Sequence, residues 1–261
     1  MNLKKIIIFY PSFERGGVEL ILIKLIKYFL KKKIKIVLFS TNFKEPKIIS
    51  NNLFELKKFE NKKKIFLPKR VSTAVNASKA LIDELKKSDV KNTIIFSLQS
   101  SSLSILLSKI FKFKVVVRNA EDPIYSTIYS ENKLFAIFVL ILKVFTYNFA
   151  DGIITNSIGS KNSIKKLIFF RKKVGHIYNP YLSNIIKKTN FKKSNYILSI
   201  GRFTKQKDFE NLIKSFKILQ KDIKNYKLII IGDGELKKKL YKITHDLGLK
   251  KKFYSLVGLK I

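Results

Sequence analysis

The chain has 261 residues, 46% of them hydrophobic and 28% charged, enough apolar matter for one large or two ordinary cores and too much for wholesale disorder. Lys and Arg number 54 against 18 Asp and Glu, a formal net charge of +36 that points to a polyanionic partner: nucleic acid, an anionic lipid surface or a phosphorylated substrate. Cysteine is absent and only His176 and His245 supply imidazoles, so disulfides, zinc–thiolate sites and thiol nucleophiles are excluded and a histidine-rich metal centre is disfavoured.

A reducing, cytoplasmic setting fits this composition, and the apolar run before Pro11 is too short for a signal-peptide core. Ile6 to Tyr10 is compact and apolar, as in a strand buried on both faces. Pro11 to Gly17 breaks it, and Val18 to Leu30 then carries apolar residues at helical spacing. Ile34 to Ser40 is the next strand, which predicts a βαβ unit with parallel pairing. Residues 42–70 are lysine-rich and ambiguous. Ala74 to Lys87 reads as helix, Thr93 to Ser97 as strand, Leu103 to Phe111 as helix, and Lys114 to Val117 as a strand ending at Arg118-Asn119.

Asn132 to Phe149 is predicted helical. Its apolar stretch Leu134 to Leu142 is broken by Lys143, well short of the ~20 residues needed to span a bilayer, so it reads as a buried or interfacial helix. Gly152 to Thr155 is a strand, Gly159 to Phe169 a helix, and Val174 to Tyr178 a strand meeting Asn179-Pro180. Tyr181 to Ser194 is polar and basic, the best linker candidate. Alternation restarts with strand Tyr196 to Ile200, helix Phe209 to Gln220, strand Lys227 to Ile231, helix Glu235 to Leu247 and strand Phe253 to Val257. The reading is two α/β domains, 1–180 and 195–261, joined by 181–194. The second holds three strands, and the strand–turn signal Val257-Gly258 predicts that the fold continues past Ile261.

Three strands end in glycine-bearing turns that lead into helices: Arg15-Gly16-Gly17, Gly201-Arg202 and Gly232-Asp233-Gly234. Glycine there lets backbone N–H groups approach a ligand, and a helix N-terminus favours anions, although glycine in such turns is also common for steric reasons alone. Only five residues are arginine: Arg15, Arg70, Arg118, Arg171 and Arg202. Arg15, Arg118 and Arg202 fall at the loop ends of strands, where a planar, permanently charged group has a use. The loop from Gly201 to Phe209 carries Arg202 and Lys207 together, two cations suited to neutralising a diphosphate and to stabilising one as it leaves.

The stretch SIGRFTKQKDFENLIKSF resembles the signature of family 4 glycosyltransferases of the GT-B fold. The likeness extends through LIIIGDGELKKKL and FYSLVG, and backward through ADGIITNS, IYNP and GGVE, in order and across nearly the whole chain. The resemblance implies two Rossmann-like domains facing a cleft, with acceptor on the first and nucleotide-sugar on the second. It implies sugar transfer with retention, no bound metal and no cofactor beyond the nucleotide-sugar donor. By the same resemblance Arg202 and Lys207 contact the donor diphosphate, Gly16, Gly17 and Gly201 lie against the donor, and Arg118, Asn119, Glu121 and Asp122 line the acceptor side. Two departures stand out. Glu235 follows the GDG turn where the family usually has proline, and the family's paired glutamates, with seven residues between them, are not reached, so the second domain reads as incomplete.

Simpler roles compete at several positions. Glu121-Asp122-Pro123 is also an Asp-Pro turn with a local ion pair to Arg118, Ser157 is also a helix cap, and Asn179-Pro180 also suits a hinge. His176 and His245 lack the partners for general base chemistry. The lysine clusters are mostly solvated faces, and those of the first domain also suit an anionic bilayer carrying a lipid-linked acceptor. A nucleic-acid or other polyanion binder remains as an alternative, opposed by scattered basic residues, scarce arginine and no recognition motif. A truncated, inactive remnant of such a glycosyltransferase is the other.

Overall fold

The computed structural model describes residues 3–12, 17–41, 43, 51–59, 69–130, 132–180, 194–249 and 253–256. The chain divides into two compact units, Met1–Asn184 and Ile185–Ile261, each built on a parallel sheet. The linker expected over 181–194 lies, apart from Ser194, outside the described residues.

The first unit holds β1 (Lys5–Phe9), β2 (Lys35–Phe39), β3 (Phe54–Lys57), β4 (Thr93–Ser97), β5 (Lys114–Asn119), β6 (Gly152–Thr155) and β7 (Val174–His176). They lie in the order β3-β2-β1-β4-β5-β6-β7, every neighbouring pair parallel. The helices between them are α1 (Gly17–Lys31), α2 (Lys69–Lys86), α3 (Ser101–Ile110), α4 (Pro123–Ile128), α5 (Lys133–Tyr147) and α6 (Ile158–Leu167). Strand β1, KIIIF, shows why the sheet is central. Ile7 and Phe9 point into a core shared with α2, α3, α5 and α6, while Ile6 and Ile8 point into a second core beneath α1. An unbroken run of β-branched residues serves both faces, as parallel sheets demand.

The second unit runs β8 (Tyr196–Ile200), α7 (Phe209–Leu219), β9 (Lys227–Ile231), α8 (Lys237–Asp246) and β10 (Phe253–Leu256), in sheet order β10-β9-β8. Phe209, Ile213 and Phe216 of α7 and Leu240 of α8 pack with Leu228 and Ile230 in one core, so both helices cover the same sheet face. Among the described residues no helix is long and apolar enough to cross a membrane.

Two elements were not anticipated. Strand β3 lies in the lysine-rich segment left ambiguous, and α4 is a separate short helix preceding α5. Asp122 explains α4: its side chain accepts from the N–H groups of Ile124 and Tyr125, and Pro123 fits the first turn, where no N–H is needed. Helix α8 begins two residues later than Glu235, because Leu236 donates its N–H to the carbonyl of Phe203 before the helix winds.

Candidate functional site

In the second unit the loop after β8 and the turn after β9 are pressed together. Gly201 donates to the carbonyl of Ile231 at 2.9 Å, and Phe203 donates to that of Asp233 at 2.8 Å. Glycine is needed for this approach. A Cβ on Gly232 would stand 1.8 Å from the carbonyl oxygen of Gly201, and one on Gly234 would stand 2.7 Å from that of Phe203. Gly234 also has a φ of +155°, open to glycine but not to ordinary side chains. Phe203, 1% exposed, anchors the loop in the core and meets the ring of Phe209 edge-on at 5.4 Å.

This clamp fixes the backbone on both sides of Arg202 and leaves its side chain in solvent. Thr204 is extended, residues Lys205–Lys207 form a single 3₁₀ turn, and Asp208 adopts a left-handed conformation (φ 47°) to cap α7 through the N–H of Asn211. The turn brings the chain back over Gly201, where an added Cβ would lie 3.6 Å from Cγ and Cδ of Lys207. Arg202 and Lys207 thus share one loop at the carboxyl end of β8, both exposed, and neither side chain has an ion-pair partner among the described residues. Nearby acids are otherwise engaged: Glu210 pairs with Lys239 at 2.7 Å and with Lys214 at 3.1 Å. Two cations without ion-pair partners beside tightly turned backbone are a candidate anion site.

In the first unit the strand order reverses between β1 and β4, and in open parallel sheets ligands bind at the carboxyl ends beside such a reversal. There the side-chain carbonyl of Gln99 accepts from the Ser12 N–H at 2.8 Å, and Ser100, left-handed at φ 52°, opens α3. The buried Tyr10 hydroxyl donates to Glu19 of α1 at 2.5 Å. Gln99, Ser100 and Glu19 were not singled out as site residues, although the polar run SLQSSS after an apolar strand was the available signal. Gly17 is the first residue of α1, with open space where a Cβ would go; Arg15 and Gly16 lie outside the described residues.

The four acceptor-side candidates separate in burial. Arg118 and Asn119, 6% and 5% exposed, end β5; Arg118 donates to the side-chain carbonyl of Asn179 at 2.6 Å, which ties β5 to the segment after β7. The Asn119 amide donates to the carbonyl of Glu121 and to Ser160, and its carbonyl accepts from the Tyr147 hydroxyl at 3.2 Å. Burial pushes the Tyr147 phenol up to about 12, against a hydrogen bond to Ser101 that favours ionisation, so it stays a neutral donor. Asp122 caps α4 and accepts from Ser163 at 2.5 Å, while Glu121 remains exposed. Lys143 on α5 lies among Pro123, Tyr147, Ile164 and Leu167; burial depresses its pKa and the Glu121 carboxylate partly opposes this. Asn156 donates to the carbonyl of Ala120 at 2.9 Å, and Ser157 caps α6. The structure therefore gives Asn119, Asp122, Asn156 and Ser160 work in holding this loop, with Ser157 capping α6, and leaves Glu121 exposed.

Residues 183–259 match the family described as glycosyl transferases group 1. The chain is 36% identical over 175 residues to an uncharacterized glycosyltransferase of Methanocaldococcus jannaschii, covering 60% of this chain and 41% of that protein. It is 30% identical over 154 residues to an N-acetylgalactosamine-N,N'-diacetylbacillosaminyl-diphospho-undecaprenol 4-alpha-N-acetylgalactosaminyltransferase of Campylobacter jejuni, covering 56% of this chain and 41% of that one. The chain thus spans about two-fifths of the length of the curated relatives it matches. Among solved structures it shares its fold with Anabaena HepE in complex with UDP-glucose (TM-score 0.70, 17% identity, 97% of this chain and 68% of that one). It likewise resembles sucrose-phosphate synthase of Thermosynechococcus elongatus (TM-score 0.74, 13% identity, 98% and 71%).

Proposed function

We propose that the chain is a glycosyltransferase of the GT-B fold that moves a sugar from a nucleotide-sugar to a lipid-linked or cell-surface glycan, a reading supported by the family match over residues 183–259, by the glycosyltransferase relatives and by the shared fold. The observation that carries this reading is the loop after β8. It offers Arg202 and Lys207 together, neither ion-paired among the described residues, on backbone locked by Gly201, Gly232 and Gly234. A nucleotide-sugar binds there through its diphosphate. As the bond from the anomeric carbon to the diphosphate breaks, negative charge builds on the leaving oxygen, and two fixed cations lower the energy of that state more than of the bound donor. On this reading the cations supply what a divalent ion supplies elsewhere, so transfer proceeds without a bound metal; retention at the anomeric carbon is proposed on the likeness to family 4 glycosyltransferases alone.

The acceptor side is the loop Arg118–Asp122. There the exposed Glu121 is the group best placed to meet acceptor hydroxyls, while Arg118, Asn119 and Asp122 hold the loop's shape. A lipid-diphosphate acceptor is favoured by the name of the Campylobacter relative, and the +36 charge suits work at an anionic membrane surface.

The test is titration calorimetry of the full chain with UDP as the probe, uridine serving as its phosphate-free counterpart. Arg202→Ala and Lys207→Ala should each weaken UDP roughly tenfold, the loss of one charge-assisted contact, and leave uridine unchanged. Equal, weak binding of UDP and inorganic pyrophosphate by all three proteins would refute the donor site. Retention is read from the anomeric NMR signal of the product, and metal independence from activity that survives EDTA.

A further inference from the structure

Helix α5 wears an apolar stripe on its outside. Leu134, Phe138, Ile141 and Phe145 follow one another at spacings of four, three and four residues, which puts them on one helix face, and they are 83%, 61%, 63% and 61% exposed. Phe149 extends the line just past the helix. Among the helix's own residues only Thr146 and Tyr147 are fully buried, with Lys143 half-buried beside them. A 15-residue helix in an α/β domain ordinarily turns its apolar stripe inward, so this inversion asks for a partner.

Helix α4 continues the surface. Tyr125 and Tyr129 are exposed and stacked, ring centroids 6.3 Å apart and nearly parallel, with Ile128 exposed beside them. At the other end Asn148 accepts from the Phe169 N–H, which brings the exposed Phe169 and Phe170 to the foot of α5, and the ammonium of Lys173 sits 5.2 Å from the Phe170 ring.

The charge of this stretch of sequence is one-sided. Residues 123–173 carry eight basic residues, one of them the half-buried Lys143, and two acidic ones, of which Asp151 is paired with Lys109 at 2.8 Å. We propose that the outer faces of α4 and α5 lie flat in the headgroup region of an anionic bilayer, Phe and Leu side chains inward, tyrosines at the boundary and lysines against lipid phosphates.

Dimension and charge both favour this occupant. The stripe from Leu134 to Phe149 is about 22 Å long, too short to span hydrocarbon and well suited to lying in the interface. A second copy of the chain would bring the same cationic rim and +36 against itself, whereas anionic lipid neutralises both. The surface also runs directly out of the acceptor-side loop, since Asp122 ends that loop and caps α4. Seating α4 in the headgroups would hold Arg118–Asp122 beside the layer in which a lipid diphosphate travels. This last step alone rests on the lipid-linked acceptor proposed above.

The experiment is vesicle flotation of the full chain with phosphatidylcholine vesicles and with vesicles containing phosphatidylglycerol, neither carrying sugar acceptor or donor. The parent should float with the anionic vesicles, and the double variant Phe138→Asp/Ile141→Asp should partition at least about tenfold less. Lys133→Gln should weaken binding about fivefold at low salt and less at high salt. Both changes sit at exposed positions, and circular dichroism together with UDP titration confirms the fold. Equal partitioning of parent and double variant would overturn the proposal, because binding would then be electrostatic and not seated on α5. So would light scattering that shows a parent dimer which the double variant splits without loss of vesicle binding. Either outcome leaves donor binding at Arg202 untouched, so this surface and the sugar-transfer reading fail separately.

Discussion

Gly232→Ala puts the clamp of the second unit under direct test. The new methyl carbon would stand 1.8 Å from the carbonyl oxygen of Gly201 and 3.0 Å from the Phe203 ring. Carbon and oxygen come no closer than about 3.3 Å, so the turn after β9 must retreat by about 1.5 Å. That retreat falls on the hydrogen bonds from Phe203 to Asp233 and from Gly201 to Ile231, at 2.8 and 2.9 Å, each worth about 1 kcal/mol net. It also partly opens Phe203, whose full burial is worth about 2 kcal/mol. Against this, alanine stiffens the unfolded chain by about 0.5 kcal/mol. The balance is a loss of about 2–3 kcal/mol in a unit of 77 residues, enough to lower its melting temperature by about 10 °C or more. Scanning calorimetry reads this directly, and UDP affinity should fall in parallel because Arg202 sits between the displaced atoms. Gly248→Ala, where φ is +67° but space is open, should cost only about 1 kcal/mol, and Gly175→Ala, with nothing within 4 Å, close to none. A Gly232→Ala protein that melts within about 2 °C of the parent would show that the two loops are not in contact.

Two further substitutions probe the first unit. Asp122→Ala removes the acceptor for two N–H groups and for Ser163, which should cost about 1–2 kcal/mol and lower the melting temperature of this larger unit by about 3–6 °C. Lys143→Met should raise the melting temperature at pH 7. Burial lowers this lysine's folded pKa below 10.5, so the folded state holds its proton less tightly than the unfolded chain, and the parent gains stability as pH rises between the two values. The advantage of methionine should therefore narrow as pH climbs toward 10.5; a gap that widened would place the ammonium in favourable surroundings instead.

Short apolar strands announced themselves. Thr93 to Ser97, Gly152 to Thr155, Tyr196 to Ile200 and Lys227 to Ile231 have the same bounds in the structure, because they are apolar runs between polar breaks, even where, as in Tyr196 to Ile200, one face is left open. Strand β3 did not, since FELK places Glu55 and Lys57 in a four-residue, half-buried edge strand where apolar patterning has little to act on. Helix α4 was concealed by its opening Asp-Pro, which serves a turn and a helix start equally well. At the loop after β8, motif and geometry coincide because glycine spacing and close backbone approach are the same fact. At the acceptor side the letters Arg, Asn, Glu and Asp gave no warning that Arg118 and Asn119 are enclosed while Glu121 is open, because burial depends on what Tyr147, Ser160 and Asn179 bring from distant positions. Composition described α5 as apolar but not which way its stripe faces.

The position of β1 has a bearing on how the first unit assembles. Its register with β2 joins Phe9 to Phe39, but its register with β4 joins Phe9 to Ser97, a loop nearly three times longer. Closing the longer loop costs about 1 kcal/mol more in chain entropy and delays the pairing. The β1–β4 seam is therefore a late product of folding: a nascent chain can complete the parallel β1–α1–β2 crossover first, and the point where the strand order reverses arises only when residues made much later dock against β1.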